Sequence, residues 1–151
     1  MNLFISFIAT YLILVMVAGA IFLFRKRLSY FWIMGLASYG LAKFVEMIVK
    51  SLYFIPRPYM EMGKDALVVI APKDSSFPSG HATSAFLLAT LVFTYNKKWG
   101  MIFYLGAILV SIGRVLALVH YPVDVMAGAI LGILSTIIIF QLAKKTQLIL
   151  N

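Results

Sequence analysis

The sequence predicts an all-α fold, a polytopic membrane helical bundle of about five transmembrane helices, and three observations carry that prediction. Hydrophobic residues make up 63% of the 151 positions and charged residues only 12%, whereas soluble domains run at about half and a quarter. Mean hydropathy is +1.00. Apolar runs of roughly 17–25 residues, the length that crosses a hydrocarbon core of about 30 Å, recur along the chain.

The first run, 3–24, is too long and too uniformly apolar for a signal-peptide core. It lacks a basic start and ends on Arg25, Lys26 and Arg27 instead of a small-residue cleavage site, so it reads as a retained helix. The second run covers 28–50. The third, 79–95, opens on Pro78-Ser79-Gly80-His81 and rises only about 25 Å, which places its N-terminus at or just below the headgroups. Runs at 99–119 and 123–142 complete the set. Residues 59–77 mix apolar and charged side chains with Gly63 and Pro72, the pattern of an interfacial loop with room for a short helix. Five helices of this length leave no space for a second domain, so 1–151 reads as a single integral-membrane domain. Gly128 and Gly132, four apart in the last run, suit close helix packing; packing within a monomer is expected in preference to a homo-oligomer seam. Tyr30, Phe31, Trp32, Tyr95, Trp99 and Tyr121 read as interfacial aromatic belts.

The net charge of +8 is explained by position. Arg25-Lys26-Arg27, Lys97-Lys98 and Lys144-Lys145 follow the first, third and fifth helices. The positive-inside rule puts these ends in the cytoplasm and segments 51–78 and 120–122 outside. With these anchors assigned, no basic patch remains for nucleic acid. The absence of cysteine excludes disulfides, thiolate zinc sites and iron–sulfur clusters.

The remaining charges gather in the outer half. Lys43, Glu46 and Lys50 are spaced i, i+3, i+7 on one helical face. Either this is a self-neutralised stripe whose lysines snorkel, or it is functional, the default for ionisable residues inside spans. Three segments meet on the same side. "KSLYFIPRP" brings Lys50 and Arg57, "PSGH" brings Ser79, Gly80 and His81, and "RVLALVHYPVD" brings Arg114, His120 and Asp124.

These residue types fit one chemistry. Lys50, Arg57 and Arg114 are three fixed cations suited to a phosphoryl group in flight. Ser79 is a good N-cap, and the backbone N–H groups after it form an anion site at a helix start, with Gly80 permitting close approach. His120 and Asp124 make a nucleophile and its orienting carboxylate. His81 is left to protonate a leaving oxygen.

The three motifs together resemble the type 2 phosphatidic acid phosphatase (PAP2) superfamily, which also contains the vanadium haloperoxidases and bacterial acid phosphatases. Its pattern is Lys, six residues, Arg-Pro; Pro-Ser-Gly-His; and Ser-Arg, five residues, His, three residues, Asp. Lys50 to Arg57-Pro58, Pro78 to His81, and Arg114, His120 and Asp124 match it at the family spacing, over about 75 residues from Lys50 to Asp124. The departure is Gly113, where the family usually has serine. The resemblance implies a PAP2/haloperoxidase-like helical core and a metal-free, cofactor-free phosphohistidine mechanism. It makes His120 the nucleophile, Asp124 its support and His81 the general acid, with Lys50, Arg57, Ser79, Gly80 and Arg114 on phosphate.

The expectation is therefore a lipid phosphatase acting on a phosphomonoester or pyrophosphate at the outer face of the cytoplasmic (inner) membrane, facing the periplasm or cell exterior. Phosphatidylglycerophosphate, undecaprenyl pyrophosphate and the 1-phosphate of lipid A all remain open as substrates. The substrate lipid and the bilayer are the partners implied. A non-catalytic binder of anionic lipid would keep the cations but has no need of His120 with Asp124. A lipid-to-lipid phosphotransferase stays open, because a phosphohistidine can be intercepted by acceptors other than water. A metal site built from the two histidines with Asp124 or Glu61 is disfavoured by the three neighbouring cations.

Overall fold

The computed structural model describes residues 3–26, 28–68 and 71–150. The helices are α1 (Leu3–Thr10), α2 (Leu12–Phe24), α3 (Leu28–Leu52), α4 (Pro58–Glu61), α5 (Gly80–Tyr95), α6 (Lys97–Leu116) and α7 (Pro122–Leu150). The helices α3, α6 and α7 are long and apolar enough to cross a membrane, and α1 with α2 is so only as a pair, bent by 50°. The expected straight helix over 3–24 is thus corrected to a broken one. The segment on the far side of the break, α1, leans onto α6. Large apolar side chains such as Phe4, Leu36, Met101 and Ile130 cover the outside, as a lipid-facing surface requires.

At 16 residues α5 is short, rising about 24 Å, and it is sheathed by α6 and α7 with α2 and α3 alongside. Ala82, Ala85, Leu88, Ala89, Leu91 and Val92 are all buried. A helix with so little lipid-facing surface need not match the hydrocarbon thickness itself. Close approach of α7 depends on Gly128 and Gly132. A Cβ at Gly132 would lie 2.3 Å from the Thr83 carbonyl oxygen, and one at Gly128 would lie 2.6 Å from that of Ser79. Both glycines therefore pack inside the chain, against α5.

The end bearing Arg25, Lys26 and Asn96 is closed by aromatic packing. Phe24 stacks on Phe31 with centroids 4.3 Å apart, and Tyr95 meets both edge-on. Phe31 is fully buried there, which corrects its expected place in an interfacial belt. Arg27 lies outside the described residues. Beyond this stack, α2 and α3 share no broad contact among the described residues.

That other end carries the long connection. The expected short helix is α4, and the segment is tied down rather than loose. Tyr59 N–H donates to the Leu118 carbonyl (2.9 Å), Leu67 N–H to that of Ala117 (3.1 Å), and Ser76 N–H to that of Ile55 (2.8 Å). Val68 packs on Ala9, Ala117 and Val119. Residues 69 and 70 lie outside the described residues. The helix α6 stops at Leu116 in a Schellman turn, where Leu118 N–H reaches the Val115 carbonyl and Val119 N–H that of Arg114. Leu118 takes φ 60° there, a left-handed conformation that costs a non-glycine residue about 1–2 kcal/mol. The turn swings Val119 and His120 back over the end of the bundle, where the motifs converge.

Candidate active site

A cavity of about 310 Å³ at this end is lined by Lys50, Arg57, Gly80, His81, Arg114 and His120, with Lys43, Glu46 and Asp74 among its other walls. Helix ends deliver nearly all of them. Lys50 lies in the last turn of α3, Arg57 is the N-cap of α4, Gly80 and His81 open α5, and Arg114 lies in the last turn of α6.

His120 is 2% exposed, and its surroundings choose its tautomer. An Arg57 Nη1–H points at Nε2 from 3.2 Å. A guanidinium can only donate, so Nε2 holds its lone pair and Nδ1 carries the proton. That proton faces Asp124 Oδ2 at 3.5 Å and Ser76 Oγ at 3.5 Å. Ser76 Oγ itself donates to Asp124 Oδ2 in a short hydrogen bond, and Tyr121 N–H donates to the same oxygen at 2.8 Å. Burial lowers the His120 pKa below its usual 6.5; the Asp124 hydrogen bond opposes that, and the charges of Arg57 and Arg114 add to it. The imidazole is thus a neutral ring that lines the cavity, with its Nε2 lone pair held by Arg57.

The two arginines differ in how their donors are used. Arg57 is fully committed: Nε donates to the Asp74 carbonyl (3.0 Å), Nη1 to that of Val119 (2.8 Å), and Nη2 to Asp74 Oδ1 (2.7 Å) and the Ser75 carbonyl (3.3 Å). Arg114 donates Nη1 to the Ala9 carbonyl (3.1 Å), but its Nε is buried without a partner. An orphaned guanidinium donor at a cavity wall calls for a ligand, and the donor favours an anion.

Two carboxylates lie among the cations. Asp74 Oδ2 is 2.6 Å from Lys50 Nζ and its Oδ1 is 2.7 Å from Arg57. Burial acts to raise its pKa, yet the hydrogen bonds and charges of Lys50 and Arg57 prevail and hold it down to about 2. Glu46, 5% exposed, bonds Lys43 Nζ at 2.8 Å and Lys50 Nζ at 3.4 Å. It also lies against the start of α5, since a Cβ at Gly80 would sit 2.7 Å from its Oε1. Glycine at position 80 thus accommodates Glu46 as well as leaving the helix mouth open.

Ser79 and Asp124 stand behind the cavity wall. Ser79 Oγ caps α5 by accepting from Ala82 N–H at 3.5 Å, and Ser79 N–H donates to the Asp124 carbonyl at 3.0 Å, locking the α5 and α7 starts together. Asp74 and Ser76 escaped the sequence reading as site residues. Asp74 carried one signal, an acid in the only long connection on the cationic side, whereas Ser76 carried none.

Gly113, the departure from the family pattern, has a structural reason. A Cβ there would lie 2.7 Å from Ile8 Cγ2, 3.0 Å from the Ala9 nitrogen and 3.2 Å from the Ala9 Cα. The glycine lets α1 pack directly on α6, where the Ala9 carbonyl meets Arg114.

The structure is thus a sheathed membrane-type helical bundle with an anion-seeking cavity at one end. The chain belongs to the PAP2 superfamily, whose family model matches residues 30–148. It is 30% identical over 148 residues to the bacitracin transport permease protein BcrC of Bacillus licheniformis, covering 96% of this chain and 73% of that one. It is 31% identical over 117 residues to the undecaprenyl-diphosphatase BcrC of Bacillus subtilis (78% of this chain, 58% of the relative). An undecaprenyl-diphosphatase of Sulfolobus acidocaldarius is 33% identical over 114 residues (75% and 55%). The chain thus spans somewhat over half the length of these last two relatives. Among solved structures it is similar to Aquifex aeolicus LpxE, with a TM-score of 0.70 at 26% identity over 91% of this chain and 81% of that one. A PAP2-type phosphatidylglycerolphosphate phosphatase of Bacillus subtilis follows at 0.66 and 25% (93% and 74%).

Proposed function

We propose that the chain removes the terminal phosphate of a polyprenyl diphosphate through a phosphohistidine on His120. The observation that carries this reading is the His120 ring in the wall of a cation-lined cavity, with Nδ1–H facing Asp124 and Ser76 and, among the described residues, only Arg57 on the Nε2 lone pair. Two relatives named as undecaprenyl-diphosphatases favour the diphosphate substrate over the other lipid phosphates.

In the first half-reaction the terminal phosphoryl group takes the place of Asp74 among Lys50, Arg57 and Arg114, with the α5 N-terminus behind it. The Nε2 lone pair attacks phosphorus while Arg57 Nη1 transfers from Nε2 to a phosphoryl oxygen. The P–N bond forms as the P–O bond to the lipid breaks, and His81 supplies the proton to the departing oxygen. In the second half, His81 accepts a proton from water as that water attacks phosphorus, and the P–N bond breaks with its electron pair returning to His120 Nε2. Inorganic phosphate leaves, and both rings return to their starting state. Asp124 steadies the charge that His120 gains on attack.

The opposite end of the bundle carries Arg25, Lys26, Lys97, Lys98, Lys144 and Lys145, which supports placing that end in the cytoplasm and the cavity on the outer face of the cytoplasmic membrane.

The test is phosphate release by purified protein from a panel of lipids in detergent: a polyprenyl diphosphate, phosphatidylglycerophosphate, phosphatidic acid and lipid A 1-phosphate. Turnover of the diphosphate, an acid-labile and base-stable phosphoenzyme, and complete loss of both in His120→Ala are expected. A His120→Ala protein that still turns over would end the covalent mechanism.

A further inference from the structure

We propose that Lys43, aimed by Glu46, is a specificity-determining subsite for the inner phosphoryl group of a lipid diphosphate, an inference that rests on the diphosphate reading above. Lys43 precedes Lys50 by two helical turns, about 10 Å along α3, and so sits deeper in the bilayer than the motif lysine. An ionisable residue at that depth is costly and needs a reason.

A self-neutralised stripe would turn both charges toward lipid, whereas here the carboxylate is buried and only the Lys43 side chain, 42% exposed, reaches the surface. Glu46 is buried against Gly80 at the mouth of α5, and Lys43 shares the cavity wall with Ile13 of α2 and Tyr39 of α3. The 2.8 Å bond to Glu46 ties Lys43 Nζ to the buried carboxylate beside the α5 start, and Nζ lies 5.9 Å from the centre of the Tyr39 ring, another residue of the cavity wall. The charges lining the cavity do not cancel: Lys43, Lys50, Arg57 and Arg114 face Glu46 and Asp74, four positive against two negative.

Geometry matches these groups to a substrate. When the terminal phosphate fills the cradle at Lys50, Arg57 and Arg114, the inner phosphate lies between the cradle and the tail. The tail must run toward the bilayer, past Ile13 and Tyr39. Lys43 stands on that path. As the P–O–P bond breaks, the inner phosphate leaves as a lipid monophosphate and gains negative charge, which a neighbouring ammonium stabilises as it develops. A lipid monoester places no such group there.

The experiment compares farnesyl diphosphate with farnesyl monophosphate, which share a tail, in wild type, Lys43→Met and Lys43→Arg. The ratio of kcat/KM for diphosphate over monophosphate should fall about 10–100-fold in Lys43→Met, the range for a hydrogen bond to a charged group, and recover largely in Lys43→Arg. If Lys43→Met does not fold because Glu46 has lost its nearer partner, the Lys43→Met/Glu46→Gln double variant removes the buried charge left behind and carries the same expectation. An unchanged ratio in a protein that cleaves both substrates overturns the subsite alone. A wild type that cleaves only the monophosphate overturns the diphosphate reading and the subsite with it.

Discussion

Replacing Gly113 by serine would install the residue the family usually carries, and in this chain it should do harm. The new Cβ would meet Ile8 Cγ2 at 2.7 Å, the Ala9 nitrogen at 3.0 Å and the Ala9 Cα at 3.2 Å. Two of the three are backbone atoms, which cannot swing aside as a side chain can, so α1 must back away by several tenths of an ångström. Overpacking of this kind costs about 1–3 kcal/mol, or a fall in Tm of about 2–12 °C for a chain of this size. The same movement carries the Ala9 carbonyl away from Arg114, which it now holds at 3.1 Å, and if Arg114 binds phosphate as proposed, its displacement should lower kcat/KM by up to about tenfold. Thermal unfolding in detergent and turnover of a lipid phosphate measure the two effects. Adding Ile8→Ala relieves the closest contact and should restore part of the loss. A Gly113→Ser protein as stable and as active as wild type would refute the account of how α1 packs on α6.

Three further outcomes are expected. His120 titrates below its usual 6.5 because of burial and the nearby arginines, so the ring stays neutral as pH falls through 6.5, and the acid limb of kcat/KM should lie below that value; a limb above 6.5 would contradict the environment described. Asp74→Asn removes the anion that bridges Lys50 and Arg57, and vanadate inhibition should tighten by about two- to fivefold, the scale of a partly exposed ion pair. The depressed Asp74 pKa stabilises the fold above 3.8 and loses that effect as pH drops toward 2, so the variant should also show a weaker loss of stability across that interval; unaltered vanadate affinity and acid sensitivity would remove Asp74 from the site. For topology, Lys64→Cys should react with an impermeant thiol reagent on intact cells and Lys98→Cys should not; reversed labelling would place the cavity on the cytoplasmic side.

Much of the site was legible because its residues are motif residues at helix ends, where short-range spacing in sequence already places the groups. Lys50, Arg57, Gly80, His81, Arg114 and His120 line one cavity as that spacing implies. What spacing does not carry is tertiary placement. Ser76 reaches Asp124 across 48 positions, and Asp74 reaches Lys50 across 24, so nothing local marks either. The break at Tyr11 was hidden by an unbroken apolar run, because its setting includes Gly113 and Arg114, over 100 positions away. Phe31 shows the same limit: an aromatic near a helix end suits an interface belt or a stacked core equally well, and here the partners Phe24 and Tyr95 decide it.

The sparse contact between α2 and α3 bears on how a ligand would sit. The two helices are clasped at one end by Phe24 and Phe31, while Ile13 of α2 and Tyr39 of α3 both line the cavity. Under the proposed function, a lipid tail leaving the cavity between those two side chains would pass into the surrounding bilayer. Each added methylene would then lie in hydrocarbon before and after the headgroup docks, so its transfer energy would cancel, and discrimination would rest on the charged end of the ligand.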